Sequence, residues 1–186
     1  VITGIRRCGK SVVLRLIREE LLRRGVSEDY IIYMNFESFE WIDMKEAKAL
    51  YAHIREATKA SGKYYILLDE IQEVTDWEKA VNAFLVDLDV DIYVTGSNSR
   101  LLSSEFSTYL AGRYVAFHIM TLSFREYLLF HDLPLTISVS DRKTEFLKYL
   151  RMGGFPAIHT ANYDYNAIYK IVYDIYSSVI LRDTVQ

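Results

Sequence analysis

A single cysteine, Cys8, in 186 residues excludes an internal disulfide framework. No apolar run is long enough to cross a bilayer as a helix, so a helical membrane protein is not expected and a reducing cytoplasm is the expected compartment. An excess of positive charge is missing too. The 22 Lys and Arg against 25 Asp and Glu leave a formal net charge of −3, so there is no global footprint for nucleic acid, and DNA binding would need a local patch or a further domain. The chain starts at Val1 rather than at methionine, inside what reads as a strand, and is therefore expected to be a piece of a longer protein whose targeting signals are out of view. It has no internal repeat and no low-complexity linker.

What is present is a normal globular composition, 51% hydrophobic and 25% charged, which supports a real core. The first eleven residues, VITGIRRCGKS, contain Gly4, Gly9, Lys10 and Ser11 in the pattern G-x-x-x-x-G-K-S. A loop that wraps a polyphosphate must turn backbone N–H groups inward, which favours glycine at Gly4 and Gly9. Lys10 would reach the β- and γ-phosphates, Ser11 would coordinate Mg²⁺, and the following helix would point its positive end at the phosphates. The nucleotide-binding segment is therefore Gly4, Ile5, Arg6, Arg7, Cys8, Gly9, Lys10, Ser11 and Val12. Within it Arg6 and Arg7 either touch phosphate or a neighbouring subunit or are simply solvated, and Cys8 reads as filler.

The β-branched stub Val1 to Thr3 and the amphipathic run Val12 to Arg24, with Val13, Leu14, Leu16, Ile17 and Leu21 on one side, make this strand, loop and helix. Further on, Tyr30 to Phe36 reads as a strand and Ala47, Leu50, Tyr51, Ile54 and Ala57 as a helix face. Tyr64 to Leu68 then form a run apolar enough for a strand covered on both faces, which delivers Asp69 and Glu70 to its carboxyl end. Ligands of parallel α/β sheets bind at that edge, the edge of the phosphate loop. Asp69 would hold Mg²⁺, directly or through water, and Glu70 would polarise the attacking water. Trp77 to Leu88 reads as a helix, Asp91 to Thr95 as a strand, Leu101 to Leu110 as a helix and Tyr114 to Met120 as a fifth strand. Ser97 or Asn98, just past the fourth strand, could sense the γ-phosphate or merely cap a turn.

The segments GIRRCGKS, YYILLDEIQ, VTGSNSRLLSS, YLAGRY and LSFREYL, in that order, resemble the AAA+ P-loop ATPase domain found ahead of a C-terminal domain of unknown function in bacterial and archaeal proteins. The resemblance covers roughly residues 1 to 130. It implies an α/β fold, a P-loop NTPase with a five-stranded, mainly parallel sheet of AAA+ type followed by a helical lid-like region. It also implies Walker A at Lys10 and Ser11, Walker B at Asp69 and Glu70, a first sensor at Asn98 or Ser97, and an arginine finger at Arg113. The lid departs from the general AAA+ pattern, because its turn reads Gly153, Gly154, Phe155, Pro156, Ala157 without a second sensor arginine.

The expected organisation is an ATPase core over 1–132 and a helical lid or connector over 133–186. Ahead of that boundary Ser123 to Glu126 forms a capping box before a short helix; beyond it Asp141 to Met152 forms another, and Ile168, Ile171, Val172, Ile175 and Val179 stripe the last. Tyr165, Tyr169 and Tyr173 beside that stripe are expected to pack, with stacking on bases or on a following domain as the alternative. The leading function is ATP hydrolysis with Mg²⁺ that drives a conformational switch or motor in attached domains, with catalysis by Glu70, Asn98 and Arg113. The expected partners are ATP and ADP, a second copy or another protein, and DNA through a further domain. A P-loop kinase acting on a small molecule would also use Lys10, Ser11 and an acid, but the adjacent Asp69-Glu70 pair suits water activation better. A slow nucleotide-dependent module that binds DNA or protein is the third alternative.

Overall fold

The structure, a computed structural model, describes residues 1–96, 110, 112–160 and 164–183. Contacts divide the chain into two units, one of Val1–Gly4 with Lys10–His118 and one of Ile5–Gly9 with Ile119–Gln186.

The first unit is built on β3 (Tyr64–Asp69), whose residues other than Tyr65 are all buried, as a strand covered on both faces requires. It pairs in parallel with β2 (Ile31–Asn35) on one side and β4 (Val90–Val94) on the other. The register sets Asn35 beside Asp69 and Val94 beside Leu68. Past the end of β4, Thr95 forms a single parallel bridge with Ile2 of β1 (Ile2–Gly4), and β1 bonds to β5 (Phe117–Ile119). The strands thus run in the order β2, β3, β4, β1, β5. The expected five strands are present, but as a three-stranded and a two-stranded piece joined at Ile2 and Thr95. The fifth is shorter than its apolar run, because only Phe117–Ile119 pair with β1.

Parallel strands need helical crossovers, and α1 (Lys10–Arg23), α2 (Ala47–Ala57) and α3 (Trp77–Asp87) supply them. On α1 the buried residues Lys10, Leu14 and Leu21 stand four and seven apart, while Leu16, two positions from Leu14, falls on the opposite side and is exposed. Helices α2 and α3 pack together through stacked Tyr51 and Phe84 rings 5.8 Å apart. The core beneath them, including Met34, Phe36, Leu50, Ile54, Ile66, Leu68 and Phe84, is fully buried, so a Leu68→Ala cavity there costs about 2–5 kcal/mol. The helix expected over Leu101 to Leu110 lies outside the described residues except for Leu110, which is buried.

In the second unit, α4 (Phe124–Phe130) begins with the expected capping box. Ser123 Oγ accepts the Glu126 N–H at 3.3 Å, and Glu126 Oε2 accepts the Ser123 N–H at 2.7 Å. The Ser123 N–H, and then the Ser123 hydroxyl, which also donates to Oε2 at 2.7 Å, hold the Glu126 carboxyl below its usual range. Helix α5 (Val139–Met152) is capped by Ser138 and stops at Gly153. Next to it the Gly154 carbonyl accepts the Leu122 N–H at 2.7 Å, and a Cβ on Gly154 would lie 2.3 Å from the Leu122 carbonyl oxygen, so only glycine fits. The short α6 (Pro156–His159) and α7 (Tyr165–Asp183) complete the unit. Ile168 and Ile175 of α7 are buried as the stripe predicts, whereas Tyr165, Tyr169 and Tyr173 are exposed rather than packed.

Candidate functional site

Gly4 closes β1 and Lys10 opens α1, so the phosphate-loop pattern occupies a strand-to-helix turn. Within it the Cys8 N–H bonds to the Ile5 carbonyl at 3.2 Å, a reverse turn whose third residue, Arg7, has φ 65°. That place ordinarily favours glycine, and a larger residue there costs about 1–2 kcal/mol. Gly9 has φ 108°, a conformation for which glycine alone is suited. Cys8 is buried, Arg6 is half-buried, and Ile5 and Val12 are exposed.

The first unit brings Lys10, Ser11, Asp69 and Glu70 together at the carboxyl ends of β1 and β3. Ser11 Oγ donates to Asp69 Oδ1 at 3.1 Å across 58 positions of sequence. Lys10, only 5% exposed, donates from Nζ to the Gly4 carbonyl at 3.2 Å and lies 3.9 Å from Glu70 Oε1. Asp69 is fully buried and is held from three directions. Besides Ser11, Thr95 Oγ1 donates to its Oδ1 at 2.5 Å and Tyr33 OH to its Oδ2 at 3.2 Å. Burial, and then the facing Asp69 carboxylate, push the Tyr33 phenol up to about 12.

Thr95 also accepts the Glu70 N–H at 3.0 Å, and its carbonyl accepts the Ile71 N–H at 3.0 Å. Glu70 sits at φ 56°, ψ 48°, a left-handed bend that starts a one-turn 3-10 helix, Ile71–Glu73. Gln72 of that turn donates from Nε2 to Glu70 Oε2 at 2.5 Å. Thr95 and Tyr33 are absent from the residues that the sequence singles out, and Gln72 enters only as the last residue of the YYILLDEIQ segment. A hydroxyl ending the strand beside the acid pair was the available signal for Thr95, whereas Tyr33 has no signal apart from its place in an apolar strand. Arg113 donates to Asn82 Oδ1 on α3 at 3.1 Å and is exposed. Ser97 and Asn98 lie outside the described residues.

Among the described residues no three His, Cys, Asp or Glu cluster to chelate a metal on their own. A divalent ion that takes most of its ligands from phosphate and water fits better. Ser11 Oγ and Asp69 Oδ1, 3.1 Å apart, are the oxygens that could hold such an ion.

A family model described as AAA domain matches residues 1–128. The chain belongs to that family. The AAA domain is a P-loop, nucleotide-binding ATPase family, and the fold above is of that type. This AAA domain is 40% identical over 184 residues to an uncharacterized protein of Haemophilus influenzae, covering 98% of this chain and 45% of the relative. It is 34% identical over 191 residues to an uncharacterized protein of Methanocaldococcus jannaschii, covering 100% of this chain and 42% of the relative. The chain thus spans less than half the length of these curated relatives. The structure of AMPPCP-bound DnaA from Aquifex aeolicus shares the fold, with a TM-score of 0.52 at 16% identity over 98% of this chain and 57% of that one. That of Cdc6p from Pyrobaculum aerophilum gives a TM-score of 0.47 at 14% identity over 77% and 42%. Among the described residues no helix is long and apolar enough to cross a membrane.

Proposed function

We propose that this AAA domain binds ATP with Mg²⁺ and hydrolyses it, and that the nucleotide state drives a conformational change in the rest of a longer protein. The observation that carries the proposal is the meeting of Ser11 with Asp69 and of Lys10 with Glu70, which unites two sequence-distant motifs at one sheet edge. Lys10 turns from the Gly4 carbonyl and Glu70 toward the β- and γ-phosphates, where its charge is better matched. Ser11 and Asp69 would hold Mg²⁺, directly or through water, and the bound ion would neutralise charge on those phosphates. Glu70, released from Lys10, accepts a proton from water as the water oxygen bonds to the γ-phosphorus and the bond from that phosphorus to the bridging oxygen breaks, leaving ADP and phosphate.

Calorimetric titration with MgATP tests the first step. The wild-type chain is expected to bind, and Lys10→Ala to lose most of that affinity while remaining folded. Equal affinity in folded Lys10→Ala would place nucleotide elsewhere.

A further inference from the structure

Gln72 has one polar end satisfied and the other not. Its Nε2 donates to Glu70 Oε2 at 2.5 Å, while its Oε1 is buried without a hydrogen-bond partner among the described residues. A carboxylate only accepts, so the amide nitrogen must be the end that faces Glu70 and the oxygen the end left over. An unpaired buried acceptor destabilises a fold, and an apolar side chain of similar size would avoid it. What the amide supplies in return is a single bond, and that bond goes to the acid pair.

The backbone is bent to make this bond possible. Glu70 takes a left-handed conformation that a non-glycine residue adopts only under constraint, and the turn it starts brings Gln72 back beside the carboxylate. The bend is pinned by two bonds to Thr95, from the Glu70 N–H and from the Ile71 N–H, and by the fully buried Ile71 side chain. Two costly features therefore meet within three residues.

We infer that Gln72 is a positioning residue for hydrolysis, an inference that rests on the reading of Glu70 as the base. The Gln72 amide ties down Oε2 and fixes the plane of the carboxylate. Oε1 faces Lys10 at 3.9 Å and becomes the oxygen that takes the proton from water once Lys10 turns to phosphate. A base oriented by a third group through a hydrogen bond is a recurring arrangement in catalytic sites. A carboxylate free to rotate spends most of its time away from the productive direction.

The test is Gln72→Leu in the full chain, measured three ways: turnover by phosphate release, MgATP affinity by calorimetry, and thermal melting. Affinity is expected to stay as in wild type, and the melting temperature to stay or rise because the orphaned acceptor is gone. Turnover is expected to fall about 10-fold to 100-fold, the usual cost of losing an outer hydrogen bond that orients an active group. Gln72→Glu, of the same shape but with a like charge against Glu70, is expected to fall further. Wild-type turnover in Gln72→Leu would overturn the inference, as would a slower turnover matched by losses of affinity and melting temperature. Glu70→Gln run alongside separates the two levels. If it slows hydrolysis and Gln72→Leu does not, only the positioning role fails. If it hydrolyses ATP as fast as wild type, the reading of Glu70 fails and the positioning role falls with it.

Discussion

The Thr95 hydroxyl donates to Asp69 Oδ1 at 2.5 Å and accepts the backbone N–H of Glu70 at 3.0 Å. One side chain at the end of β4 thereby fixes both members of the acid pair at the end of β3. The backbone reinforces it, since the Thr95 N–H bonds to the Leu68 carbonyl at 2.9 Å.

Thr95→Val keeps the shape and removes the hydroxyl, leaving fully buried Asp69 with one donor fewer and the Glu70 N–H without its acceptor. The expected cost is about 1–3 kcal/mol, read from urea unfolding, with Thr95→Ser recovering most of it. A Thr95→Val chain as stable as wild type would mean that Ser11 and Tyr33 hold Asp69 adequately without it.

His159 gives a pH dependence of definite sign. Its Nε2 lies 2.9 Å from the Gly153 carbonyl and its Nδ1 3.1 Å from His131 Nε2. Burial first, and then the charge of His131, push its pKa below the ordinary 6.5, against the opposing bond to Gly153. A base with a depressed folded pKa binds fewer protons when folded than when unfolded. Its contribution is complete above 6.5 and is lost as pH falls through the lower folded value. Melting temperatures at about pH 7.5 and about pH 5.5 check this, with the wild type expected to lose more on acidification than His159→Gln, which has no proton to take up. Equal losses would contradict it.

Legibility in the sequence follows how local each constraint is. The phosphate loop and the acid pair are readable because each motif is contiguous and its chemistry needs particular residue types. The structure then shows the two motifs in contact through Ser11 and Asp69. Strands β2, β3 and β4 fall within a residue of their apolar runs, because each is a short, mainly apolar segment bounded by polar residues. Other features depend on tertiary partners. Thr95 reads only as a hydroxyl at the end of a strand, and it takes the neighbouring strand to make that hydroxyl a bridge. The left-handed Arg7 and Glu70 occupy positions where nothing in the sequence announces positive φ. The short α6, Pro156–His159, has too few residues to show a period. The exposure of Tyr165, Tyr169 and Tyr173 is hidden by a helical spacing that serves core and surface alike.

Arg113 tests whether hydrolysis depends on assembly. In the structure it bonds to Asn82 of its own α3. As a finger reaching a neighbouring subunit's phosphates it would contribute about 1,000-fold or more to turnover. Arg113→Ala chains mixed with Lys10→Ala chains are then expected to regain activity, because some interfaces combine an intact loop with an intact arginine. No recovery despite demonstrated co-assembly would leave Arg113 with its structural bond alone.

Phosphate release by Glu70→Gln compared with wild type, at saturating MgATP and with binding verified by calorimetry, bears most directly on the hydrolytic site. The amide keeps the shape of the side chain but loses the group that takes a proton from water. Binding is expected to persist while turnover falls about 100-fold to 10,000-fold. Hydrolysis at the wild-type rate by Glu70→Gln would contradict the assignment and leave Glu70 as a carboxylate that merely pairs with Lys10 and Gln72.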